Sequence, residues 1–319
     1  PAILAVLRMR PPDVGEGSEA LVNATHGLRK KDIMTAIEAF VTRHQVRTYF
    51  ALAFAVSWAG VLFVVGPGGI PTTVEHLMTT GPAMYVAMLA GPSVAGLLMT
   101  SLVSGRAGLR EVLARLLTWR VGGRWYAVAL LTAPFLVMAV SLALSLLSPE
   151  FIPAVFMTND KAPLPLFGLV GGLIVGIFEE LGWTGFAIPR MRRRYGVFST
   201  GLLVGVLWGA WHFIMFWEPG SFSGALPLVV LLVKLFSWLP AYRVLMVWVY
   251  DRTGSLLVAM LMHGSLTATQ LILMPLPASE MSVLTSILAL AAAYWLVVAI
   301  IAVANGGQFS RPLLWRRAA

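Results

Sequence analysis

LPLFGLVGGLIVGIFEELGWTGFAIPR, residues 164–190, is apolar throughout apart from one threonine, a closing arginine and two adjacent carboxylates, Glu179 and Glu180. A run of about 20 apolar residues is long enough to cross a bilayer as a helix. A carboxylate at mid-membrane costs roughly 2.5–3.5 kcal/mol on the insertion scale, so such residues normally face a bundle interior or a wet cavity. The segment therefore reads as one helix of a larger bundle, with its two acids turned toward protein.

The remainder of the chain agrees. Of its 319 residues, 58% are hydrophobic and 12% charged, whereas a soluble domain has about a quarter of its residues charged. Apolar windows recur at 48–66, 82–103, 125–147, 164–188, 200–217, 226–250, 254–274 and 283–304, which predicts an all-α polytopic membrane protein of about eight transmembrane helices. With no cysteine, disulfides, CxxCH haem attachment and thiolate zinc sites are excluded. A net charge of +9 would suit nucleic acid, but the Arg and Lys fall between the apolar spans. That pattern excludes a nucleic-acid partner and makes the lipid bilayer the expected one. Residues 1–33 are polar and aperiodic, and read either as a flexible cytoplasmic tail or as sequence ahead of a translation start at Met34. "PAILAVL" is too short for the apolar region of a cleavable signal. Residues 34–319 read as one transmembrane domain with its motif core at 164–270.

The loops alternate in charge. Arg43 and Arg47 precede the first span; Arg106, Arg110, Arg115, Arg120 and Arg124 fill the second connection, and Arg190 with Arg192, Arg193 and Arg194 the fourth. Arg252 lies in the sixth connection, and Arg311, Arg316 and Arg317 in the tail. The intervening connections hold Glu75, Glu150, Asp160, Lys161, Glu218 and Glu280. Positive charge collects on the cytoplasmic side, so both termini are expected there, in a bacterial inner (plasma) membrane. "RAGLREVLARLLTWR", 106–120, sets Leu109, Val112, Leu113, Leu116 and Leu117 against arginines, as an amphipathic helix on the inner leaflet would.

Other polar residues sit inside spans: His212 in the fifth, Arg243 in the sixth, His263 and Thr267 in the seventh. At 1.5 Å per residue, both histidines and both glutamates reach depths of roughly 14–18 Å from the inner ends of their helices. Gly168, Gly172 and Gly176 share a face with Glu180, and Gly201, Gly205 and Gly209 one with His212. Small residues four apart permit close helix approach in lipid. The expectation is that these two faces pack together and carry acid and imidazole to one seam.

Two chemistries fit four such groups. In one, a glutamate is general base for water, His212 positions that water, and His263 with Thr267 stabilises an oxyanion. In the other, Glu179, His212 and His263 hold a divalent metal such as zinc with an open position for water. Both end in peptide hydrolysis. The residues favour no cofactor, because one histidine per helix need not converge to ligand distances.

"FEELGWTGFAIPRMRRRYGVFSTGLLVGVLWGAWH", 178–212, closely resembles the core of the CPBP family, the bacterial relatives of type II CAAX prenyl endopeptidases (Rce1-like, also called ABI). The family motifs EExxxR, [FW]xxxH and HxxxN correspond to Glu179-Glu180 with Thr184, Trp208 with His212, and His263 with Thr267. "AGPSVAGLLMTSLVSGRAGLREVLARLLTWRVGGRWY" and "YDRTGSLLVAMLMH" resemble the approaches to that core. The resemblance implies an eight-helix intramembrane endopeptidase, variously described as metallo- or glutamate-dependent, with a cavity open to cytoplasm and membrane. It assigns Glu179 and His212 to water activation and His263 to the oxyanion, and implies a membrane-associated peptide or protein substrate. Two positions depart: Thr184 replaces the Arg that would pair with Glu180, and Thr267 replaces the Asn. Arg243 is the candidate replacement cation, its alternative being to snorkel, as Lys234 is expected to do. The departures also admit a non-catalytic scaffold or bacteriocin-immunity protein.

Overall fold

The computed structural model describes residues 35, 38–66, 74–159, 161–276, 279–306 and 309. The tail expected at 1–33 and the start at Met34 lie outside them. The chain divides into Pro1–Thr48 and Tyr49–Ala319. In the first unit the described residues are mainly helical, with Thr42 Oγ1 donating to the Glu38 carbonyl at 2.6 Å.

Among the described residues every regular element is helical, as an all-α polytopic membrane protein requires. The long helices are α1 (Gln45–Val65), α2 (Val74–Leu116), α3 (Gly123–Ser145), α4 (Pro163–Gly182) and α5 (Val197–Trp211). They continue with α6 (Ala225–Phe236), α7 (Leu239–Thr253), α8 (Leu256–Leu273) and α9 (Glu280–Ala304). Helix α4 runs on through a widened turn, Trp183–Ala187, into Ile188–Met191, and α6 and α7 form one span broken at Ser237 and Trp238. Among the described residues seven spans are long and apolar enough to cross a membrane, and α5 is a shorter apolar helix. Its 15 residues make about 22 Å, against a hydrocarbon core of about 30 Å. The span expected to run to residue 217 breaks at His212 and resumes as one helical turn, Phe213–Phe216. There Trp58 Nε1 takes the Trp211 carbonyl at 2.9 Å.

The amphipathic segment is continuous with α2. At Gly105 the backbone leaves helical space (φ 55°, ψ −149°) and resumes as 106–116. Only a residue without Cβ adopts that φ readily. The apolar face is shared: Val112 packs with Leu256, Met260 and Leu116, while Leu109, Leu113 and Leu117 face outward.

Both glycine stripes mediate close approach, but they do not serve each other. Added Cβ atoms at Gly168, Gly172 and Gly176 would meet Ile272, Gly264 with Ala268, and Met260 of α8. Those at Gly201, Gly205 and Gly209 would meet Val244 and Pro240 of α7 and Leu235 of α6. The expected α4–α5 seam is replaced by α4 against α8 and α5 against the α6–α7 span. Spacing revealed that each face packs closely and was silent on its partner.

The turn into α8 is tightly specified. Gly254, at φ 62°, ends α7 in the left-handed conformation, and its N–H reaches the Tyr250 carbonyl at 2.8 Å. Ser255 then caps α8 by accepting from the Val258 N–H at 3.1 Å, and donates to the Thr118 carbonyl at 2.6 Å. These contacts fix the start of the helix that delivers His263.

Candidate active site

Glu179 and Glu180 are adjacent, so their side chains leave α4 about 100° apart. Both are buried, at 3% and 0% exposure, yet they meet different surroundings. Glu180 is held by charge: Arg243 Nη1 donates to its Oε1 at 2.7 Å, and His263 Nδ1 lies 2.7 Å from the same oxygen. Thr184 Oγ1 donates to its Oε2. Glu179 is held by neutral donors, with Trp208 Nε1 at 2.8 Å and Trp183 Nε1 at 3.0 Å from Oε2.

The departure at Thr184 is thus made good from another helix. Arg243, with no exposure, supplies a cation to Glu180, and Thr184 adds a hydroxyl donor to the same carboxylate. Its guanidinium lies 4.2 Å over the Trp208 ring, a cation–π contact that also braces the indole gripping Glu179. Snorkelling is excluded for Arg243.

His263 joins the two carboxylates. Its Nδ1 faces Glu180 and its Nε2 lies 3.8 Å from Glu179 Oε2. A carboxylate only accepts, so Nδ1 carries the proton, assigned here from its partner. His212 is half-buried at the end of α5, and its Nδ1 lies 2.8 Å from the Trp208 carbonyl, which leaves Nε2 as an acceptor. The imidazoles are linked through Trp208, whose ring centroid is 5.4 Å from that of His212 and 5.0 Å from that of His263.

These groups border a cavity of about 630 Å³. Glu179, Trp208, His212, His263 and Thr267 line it among mostly apolar neighbours such as Met88, Leu266 and Ile287. Glu180, Thr184 and Arg243 stand behind that wall as support. Lys234 also lines the cavity and pairs loosely with exposed Glu218 at 3.7 Å. Gln270, one turn beyond Thr267, presents a buried Nε2 without a hydrogen-bond partner.

Trp183, Lys234 and Gln270 went unread as site residues in the sequence. Trp183 had a signal: it follows Glu179 by four, as Thr184 follows Glu180, and i,i+4 side chains meet on a helix. Lys234 and Gln270 come together only through packing of separate helices.

Among the described residues, no three His, Asp or Glu side chains form a set able to hold a metal ion. Glu179 Oε2 is taken by two indole N–H groups and His263 Nδ1 by Glu180. These contacts leave Glu179 Oε1 and the Nε2 atoms of His212 and His263 as the lone pairs that a metal would need, and no step is derived through a metal.

Residues 161–269 match the family model described as type II CAAX prenyl endopeptidase Rce1-like. Over these residues the chain is similar to that family. A curated relative from Methanococcus maripaludis, described as CAAX prenyl protease 2, is 30% identical over 76 residues, covering 24% of this chain and 23% of that protein. The chain thus spans less than a quarter of the length of the curated relative it matches. The Rce1-like stretch contains both glutamates, both histidines, Trp208, Thr184, Thr267 and Arg243.

Proposed function

We propose that this protein is an intramembrane endopeptidase of the CAAX prenyl protease type, hydrolysing a peptide bond of a membrane-associated substrate without a metal. One observation carries the reading: a carboxylate from α4, an imidazole at the end of α5 and an imidazole from α8 border a single cavity within an apolar bundle.

Glu179 acts as general base. Both indoles bind Oε2, so Oε1 is the oxygen left to take a proton from water. His212 Nε2, an acceptor by virtue of the Nδ1 contact, orients the second water hydrogen. Attack on the scissile carbonyl builds negative charge on its oxygen. His263 and Thr267, one turn apart on α8, are the donors for that oxygen. Because His263 Nδ1 is engaged by Glu180, Nε2 donates only from the imidazolium, a form flanked here by two carboxylates. Glu179 then passes its proton to the departing amine. Glu180, Arg243 and Thr184 position His263 and do not touch substrate.

The test is to reconstitute the protein and its Glu179→Ala variant in lipid and present a membrane-peptide library, with and without chelator. Cleavage lost in the variant and unaffected by chelator is expected. Cleavage abolished by chelator would overturn the metal-free route. Absence of cleavage by either protein would favour a scaffold or immunity role, the reading that Thr267 in place of an amide donor supports.

A further inference from the structure

One wall of the cavity runs along α8. His263, Thr267, Gln270 and Met274 all line it, and residues three or four apart share a helix face. The first three make a polar strip, opposite apolar residues that α2, α4 and α9 supply, among them Met88, Val175 and Ile287. His263 on that strip is tied back to Glu180. Gln270 is not tied. Its Nε2 is buried without a hydrogen-bond partner, which is destabilising for an amide. The packing of α8 does not call for a polar group there, since α8 meets α4 through Gly264, Ala268 and Ile272 on another face. An amide retained at that position is matched to something that enters the cavity.

Its chemistry and its place say what. A primary amide carries both donors and an acceptor, the set that a peptide bond also offers. Its terminal torsion is soft, so rotation exchanges donor and acceptor on the cavity side. Seven residues separate His263 from Gln270, about 10.5 Å along the helix. Side chains on one helix face lean the same way, so this separation carries over to their tips. An extended peptide covers it in about three residues, at about 3.3–3.6 Å each.

We propose that Gln270 binds the backbone of the substrate, pairing with a peptide group about three residues from the scissile bond and holding the segment extended along α8. Substrate side chains then turn to the apolar walls. The substrate backbone, whose polar groups need partners inside an apolar bundle, finds one in the Gln270 amide. The distance to the scissile bond rests on the endopeptidase reading above, whereas backbone binding by Gln270 does not.

The test uses Gln270→Leu, which removes the amide with little change in volume. Because the amide is unpaired, the variant is expected to unfold at the wild-type temperature or above it; a clear loss of stability would mark a structural amide and overturn the proposal. Synthetic apolar single-span peptides are made with the amide at each position in turn replaced by an ester. On the all-amide peptide Gln270→Leu is expected to raise KM about three- to tenfold, the worth of one hydrogen bond, with kcat within about twofold. On the peptide whose ester lies about three residues from the cut, wild type and variant are expected to share one KM. A penalty equal on every ester peptide, or a fall in kcat alone, overturns the assignment. Affinity for the intact peptides is measured in parallel by fluorescence anisotropy on Glu179→Gln, with and without Gln270→Leu. A loss of affinity that disappears at a single ester position upholds Gln270 even where wild type cleaves none of the peptides, a result that rejects the endopeptidase reading by itself. Equal affinity in both backgrounds for every peptide overturns the role of Gln270.

Discussion

Glu179 and Glu180 share a helix turn, a degree of burial and a chemical identity, yet they live in different environments. One borders a cavity and is gripped by two indoles; the other is sealed among a guanidinium, an imidazole and a hydroxyl. Side-chain type does not assign roles here. Neutral donors hold Glu179 through one oxygen at the cavity wall and leave the other oxygen without an indole partner. A permanent cation fixes a carboxylate as an anion, suited to orienting a neighbour.

The sharpest way to break this comparison is to neutralise each acid in turn. Glu179→Gln is expected to lower peptide cleavage by about 10²–10⁴-fold, the usual worth of a general base, with little change in thermal unfolding. If cleavage survives in Glu179→Gln and disappears in Glu180→Gln, the roles are reversed. Next in size is Arg243→Ala, which strands a buried carboxylate and should destabilise the protein by about 3–5 kcal/mol, read by denaturant unfolding in detergent micelles. Adding Thr184→Arg to that variant rebuilds the family's own pairing and should recover part of the loss; no recovery would mean that Arg243 acts through packing on Trp208 alone.

Removing one indole N–H from Glu179 is a gentler probe. Trp183→Phe keeps the ring and deletes a hydrogen bond to a charged group, worth about 1.5–3 kcal/mol. It should lower the rate of peptide cleavage, and an unmoved rate would reduce Trp183 to packing. The smallest effect is expected from Gly176→Ala. Its methyl would press on the Met260 carbonyl, costing about 1–3 kcal/mol in unfolding and spreading Glu180 from His263.

Much of this was legible in the sequence, for identifiable reasons. Hydrophobic length located the spans within a few residues, because the bilayer imposes one length on every helix. The Rce1-like motifs named Glu179, His212 and His263 because their order and spacing are local. Arg243 was found by depth alone: an arginine level with two buried acids has few other places to go. What stayed hidden depends on which helix meets which. The glycines of α4 and α5 advertised tight packing, yet their partners, α8 and the α6–α7 span, are matters of topology that no periodicity records. The break after Trp211 was hidden for a related reason, since Trp58 on α1 takes the carbonyl there.

The widened turn at Trp183–Ala187 has a bearing on how this helix tolerates change. Pro189 has no N–H to offer the Gly185 carbonyl, which Arg115 occupies instead, and the helix accommodates an extra residue at that point. Deleting one of those five residues would take out the residue that the wide turn absorbs, so winding becomes regular while Arg192 stays close to its present phase toward Asp251. An insertion there has no such slack and would turn everything downstream by about 100°.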